Sequence, residues 1–143
     1  MRTFVFIITI LYSGILLQSQ ELPLEFRANE KANPWIGKEW DFSYEKLKSP
    51  INVKFDGNNL KMYYDTGKNF LEKKIINYQY KENKEYDKIK NKVYILEAKN
   101  KHDLIEYIVI KISYSYGDII YEIQLPFMTQ TGEVMSYSRY QQF

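Results

Sequence analysis

Tyr107-Ile108-Val109-Ile110-Lys111-Ile112-Ser113-Tyr114-Ser115-Tyr116-Gly117-Asp118-Ile119-Ile120-Tyr121-Glu122-Ile123-Gln124-Leu125 is the stretch that decides the fold. Ile108, Ile110, Ile112, Tyr114 and Tyr116 recur every second residue, with Lys111, Ser113 and Ser115 between them. Gly117-Asp118 offers a tight reversal, and Ile119, Tyr121, Ile123 and Leu125 resume the alternation until Pro126 stops pairing. A period of two puts one face on a core and the other in water, which defines a β-hairpin and not a helix.

The same grammar extends outward in both directions. Ile51, Val53 and Phe55 alternate up to Asp56-Gly57-Asn58-Asn59, and Leu60, Met62 and Tyr64 alternate after it until Asp65-Thr66-Gly67-Lys68. A strand with Ile76, Tyr78 and Tyr80 in register follows over Phe70 to Tyr80, then one from Tyr86 to Ala98. The mixed charges of Lys81 to Glu85 and of Lys99 to Asp103 read as solvated turns. After Gly132 a last strand carries Met135, Tyr137 and Arg139 on one face. The first strand is placed over Lys38 to Lys46, with Trp40, Phe42 and Tyr44 on one face and Glu39, Asp41 and Ser43 on the other. Ser49-Pro50 is taken to start the second.

Eight strands joined by short turns pair with their neighbours antiparallel, giving an all-β up-and-down meander. Strands of ten residues span roughly 33 Å at about 3.3 Å each, a length that suits coiled strands wrapping a closed or nearly closed barrel. An open curved sheet or sandwich is the alternative architecture.

The N-terminus reads differently. Arg2 precedes an apolar run from Phe4 to Leu17, and Leu17-Gln18-Ser19 supplies a small residue before a cleavage point. That is the layout of a signal peptide over 1–19, short for a membrane span; an uncleaved anchor is the competing reading. Residues 20–37, with Pro23 and Pro34 and no period, form an extended lead-in, and 38–143 the barrel domain. The expected destination is export, to periplasm or medium. With no cysteine there is neither a lipid attachment point nor a disulfide, so packing and backbone pairing must hold the fold. Without the leader and its Arg2, nineteen basic residues face eighteen acidic ones, a near-neutral balance whose long-range field argues for neither nucleic acid nor an anionic membrane.

Fourteen tyrosines stand against one histidine. Tyr64, Tyr78, Tyr80, Tyr114, Tyr116 and Tyr121 fall in register with the apolar faces, and a buried hydroxyl needs a partner. These six are therefore the candidate ligand-binding residues, lining a pocket for a small apolar or amphipathic molecule. Simple core packing is the competing reading. Entry is expected at the end near Tyr80 and Tyr116.

Catalytic and metal readings are weak. His102-Asp103 lies in a lysine-rich turn where adjacent side chains diverge. Glu39 and Asp41 share a strand face but suit its solvent side, and Asp56, Asn58 and Asn59 are better explained by turn chemistry than by a calcium loop. One histidine and no cysteine leave little for a transition metal. The reading is a non-enzyme without cofactor or metal.

Gly37-Lys38-Glu39-Trp40 opening a strand and Arg139 within Ser136-Tyr137-Ser138-Arg139 near the end resemble the calycins, the lipocalin and fatty-acid-binding superfamily. The family has a Gly-x-Trp motif in its first strand and a basic residue in its last that packs across the tryptophan. The spacing here is one residue longer, and Asp65-Thr66-Gly67 only partly echoes the family's glycine-aspartate loop. The resemblance implies a ligand-binding barrel with Trp40 and Arg139 stacked at one end. Two other readings remain: an exported module that binds a protein, of identity unknown, through an edge or end loops, and a small outer-membrane barrel. Charges on both faces of the fourth and fifth strands oppose the last.

Overall fold

The computed structural model describes residues 25–33, 43–86 and 88–142. Eight strands form a closed antiparallel barrel in meander order: β1 (Glu25–Ala32), β2 (Glu45–Asp56), β3 (Asn59–Tyr64), β4 (Asn69–Tyr86), β5 (Ile89–Lys99), β6 (Ile105–Ser115), β7 (Asp118–Met128) and β8 (Val134–Gln142). The fold expectation is met, and the described residues contain no helix.

The alternation does what its period requires. Val53, Leu60, Met62, Leu96, Ile108, Ile110 and Ile123 are fully enclosed in the middle of the barrel. The outward faces carry Lys54 opposite Lys61 and Lys111 opposite Glu122. The β5–β6 ladder is unbroken from Ile89↔Ser115 to Lys99↔Ile105. Closure between β8 and β1 is much shorter, running only from Glu30↔Gln141 to Ala32↔Arg139.

Several local expectations are corrected. A strand stands at Glu25–Ala32, inside the stretch expected to be an extended lead-in. Its inward residues Phe26 and Ala28 are buried, but a register break between Ala28 and Glu30 interrupts the period after two repeats. Most of the strand placed at Lys38 to Lys46 lies outside the described residues; its end belongs to β2, which runs without interruption through Ser49 and Pro50. Pro50 sits where the β1–β2 register jumps from Ala28↔Ile51 to Glu30↔Lys46, a gap that needs no N–H donor.

Lys81 to Glu85 is strand, not turn. Glu82 faces Lys92 across the ladder and accepts an ion pair from Lys90 at 3.3 Å, so opposite charges replace apolar packing. Ile76 does not share a face with Tyr78 and Tyr80. A bulge between Ile75 and Asn77 turns Ile75 inward and leaves Ile76 exposed. The β6–β7 turn is Tyr116-Gly117, one residue earlier than expected, with φ of 49° and 92°, since Ser115 already pairs Asp118. Two positive φ values match the hairpin twist and place Tyr116 at the tip.

Candidate functional site

The β2–β3, β4–β5 and β6–β7 connections mark one barrel end. The β3–β4, β5–β6 and β7–β8 turns mark the other, called here the mouth. The mouth is open on one side for a simple reason. β3 ends at Tyr64, opposite Ile51, while β2 continues back to Glu45 with no β3 partner. The wall is therefore missing beside Glu45–Pro50, and a cavity of about 730 Å³ occupies the gap.

Its apolar surface comes from Leu47, Ile51, Tyr64, Phe70 and Tyr140. Phe70 is the centre of an aromatic row, 5.9 Å from Tyr64 and 5.6 Å from Tyr140, both edge-on. Phe70 remains 37% exposed, so this aromatic surface is open to an occupant. Burial, with the neighbouring Tyr64 second, raises the Tyr140 pKa and keeps its phenol protonated. Lys31, Lys46, Lys48 and Lys68 stand around the cavity, and none forms an ion pair among the described residues. Asp65 is occupied elsewhere: Asn52 donates to it at 2.8 Å and Arg27 pairs with it, and these two, in that order, hold its pKa below the ordinary value. Glu45 is the remaining acid. The arrangement is an aromatic floor under a cationic rim.

A second cavity, of about 500 Å³, lies at the same end beside Phe127, Met128 and His102. Lys73 and Glu106 meet there at 2.5 Å, the carboxylate almost wholly buried. Both take inward positions, Lys73 opposite Leu60 and Glu106 opposite Ala98. Asn100 accepts from the backbone N–H groups of His102 and Leu104, and Asp103 pairs with Lys99 at 3.2 Å, so His102-Asp103 is built into a turn. Among the described residues no group of three His, Cys, Asp or Glu is gathered as for a metal ion.

The six tyrosines do not form one wall. Tyr64 alone lines the large cavity. Tyr78, Tyr80, Tyr114 and Tyr121 pack against the core from partly buried positions. Tyr121 stacks on Phe26 at 5.4 Å, and Tyr80 lies 5.0 Å from Tyr94 while donating to Glu82 at 2.7 Å. Lys90 and Lys92 cover the Tyr114 ring at 5.2 and 5.8 Å. Tyr116 is 71% exposed at its turn. The cavity sits at the end opposite the one expected for entry.

Trp40 lies outside the described residues. Arg139 faces outward, opposite Gln124 and Ala32, beside Tyr44. Tyr44 donates to Glu122 on the outer wall. Burial first, then Glu122, raises the Tyr44 pKa well above the ordinary phenol value, while Arg139 pulls it down. Gln141 is buried although it faces outward, and it donates to Glu30 at 2.7 Å.

Phe70, Tyr140 and the four lysines were not legible as a site. They come from four strands and one turn and meet only because β3 stops short. Comparison of the chain with protein-family models, curated proteins and solved structures finds no match.

Proposed function

We propose that this chain is an exported, non-catalytic binding protein of lipocalin-like type whose ligand is a small amphipathic molecule held at the barrel mouth. The observation that carries the reading is the cavity of about 730 Å³ with the Tyr64–Phe70–Tyr140 row as floor and lysines as rim. Its size lies within the span of about 300–1,000 Å³ usual for ligand pockets. The apolar part of the ligand covers Phe70, and an anionic group meets Lys48 and Lys68. The centre of the barrel is filled by enclosed side chains, so the ligand sits at the mouth and not along the axis. An apolar interior and outward Lys54, Lys61, Lys111 and Glu122 are the reverse of a lipid-embedded barrel.

Displacement of a fluorescent apolar dye by dodecanoate tests the reading. Dodecanoate is expected to displace the dye, Phe70→Ser to weaken binding about tenfold, a contact worth about 1.4 kcal/mol, and Lys48→Gln/Lys68→Gln to weaken the anion more than dodecanol. Absence of dye binding, or binding indifferent to Phe70→Ser, would replace this reading with a protein-interaction module that uses the same end.

A further inference from the structure

Among the described residues four of the eight exposed large apolar side chains stand at the mouth, and Ile76, Tyr107, Tyr116 and Ile119 are the other four. Phe70, Ile105, Phe127 and Met135 are 37%, 41%, 64% and 42% exposed, and each lies within two residues of a turn at the mouth. They come from four different strands, so they form a broken ring around the end and not a continuous groove. Ile105 is the first residue of β6 and sits next to the buried Glu106, whose inward position leaves Ile105 outward. Phe127 rises beside the second cavity. At the same end Lys31, Lys46, Lys48 and Lys68 line the large cavity and Lys101 lines the second. The acids nearby are in part already engaged: Asp65 with Arg27 and Asp103 with Lys99.

Isolated apolar tips and lysines sharing one end are poorly suited to a flat protein partner, whose interface core is depleted of lysine. They match the two forces that hold a protein on a bilayer surface: shallow insertion of apolar side chains and attraction of cations to anionic headgroups. Aliphatic and aromatic groups would enter the headgroup region while the lysines lie level with the phosphates. We infer that the mouth docks on an anionic lipid surface. The ring and the cavity share one end, so a docked barrel faces its cavity toward the bilayer. Docking itself depends on the ring and stands apart from what the cavity holds.

The experiment is vesicle co-sedimentation of the chain from Gln20 onward, which contains every strand of the closed barrel. Two vesicle preparations are compared: phosphatidylcholine alone, and the same lipid with about one-third phosphatidylglycerol. The variant is Ile105→Ser/Phe127→Ser; neither residue lines the large cavity, and both are exposed, so the core is untouched. Expected is binding to the anionic vesicles, weakened by salt, at least about tenfold weaker on neutral ones, as loss of a few lysine–headgroup attractions implies. The double variant is expected to lose binding while still displacing dye with dodecanoate as wild type does. Equal sedimentation of variant and wild type, or no sedimentation of wild type, would overturn the inference. So would a concentration-dependent dimer abolished by the same variant, which would make the ring a contact between two copies. Loss of dye binding with vesicle binding intact would sink the cavity reading alone.

Discussion

The wall made by β5, β6 and β7 and the wall made by β8, β1, β2 and β3 are built from the same kind of strand and end up with different properties. In the first, eleven-residue strands pair without interruption between β5 and β6, and Leu96, Ile108, Ile110 and Ile123 are sealed from water. In the second, β1 has a register break, β2 overruns its neighbour, β3 has six residues, and the β8–β1 seam is short. Regular alternation yields a packed, inert core. Where β2 overruns β3, the chain leaves a gap, and the gap holds the aromatic floor and the lysine rim. Function is expected where the pattern is broken, as in proteins generally.

That contrast can be broken by paired truncations. Ile110→Ala removes a fully buried side chain from the regular wall and is expected to cost about 4 kcal/mol, within the range for buried isoleucine. Leu47→Ala in the open wall, where the side chain is only partly buried against the core, is expected to cost less than about 1.5 kcal/mol. Urea denaturation of both variants measures the difference. Equal losses would mean that the open wall is as tightly packed as the other.

A smaller effect sharpens the picture of the outer seam. Tyr44, on the outer wall, donates to Glu122, and burial followed by that carboxylate raises its pKa. A raised phenol pKa means that the folded state holds its proton more tightly than the unfolded one. The stabilisation is therefore complete below the unfolded value of about 10 and is lost as pH rises past it toward the folded value. Between about pH 9 and pH 11 wild type should lose more stability than Tyr44→Phe, by about 0.5 kcal/mol after allowance for solvent screening of a half-exposed group. Parallel pH slopes for the two proteins would remove Tyr44 as the pin of this segment.

The regular wall and the β2–β3 hairpin were legible in the sequence; β1 and the opening beside β2 were not. Ile108, Ile110, Ile112 and Ile123 announce their own face because each strand repeats the period several times. Phe26 and Ala28 give only two repeats before the break at Ala28/Glu30, so β1 reads as lead-in. The bulge at Ile75/Asn77 reverses the face of Ile76, and no residue type marks it. The ladder of Glu82 and Lys92 uses charge where the sequence pattern looks for apolar residues. The tyrosines drew attention to the end opposite the large cavity: Tyr80 and Tyr114 find partners in Glu82 and Lys90, and of the six only Tyr64 reaches that cavity. Phe70 and Tyr140 are distant in sequence and become neighbours only through barrel closure, and the Lys73–Glu106 pair arises the same way.

The most direct test of the mouth as the binding site is a backbone amide chemical-shift titration of the chain from Gln20 onward with dodecanoate. Saturable shifts are expected at Leu47, Lys48, Tyr64, Phe70 and Tyr140, with Ile110 and the Tyr116 turn unmoved. Shifts centred on Tyr80, Tyr114 and Tyr116, or no saturable shift at all, would contradict the account.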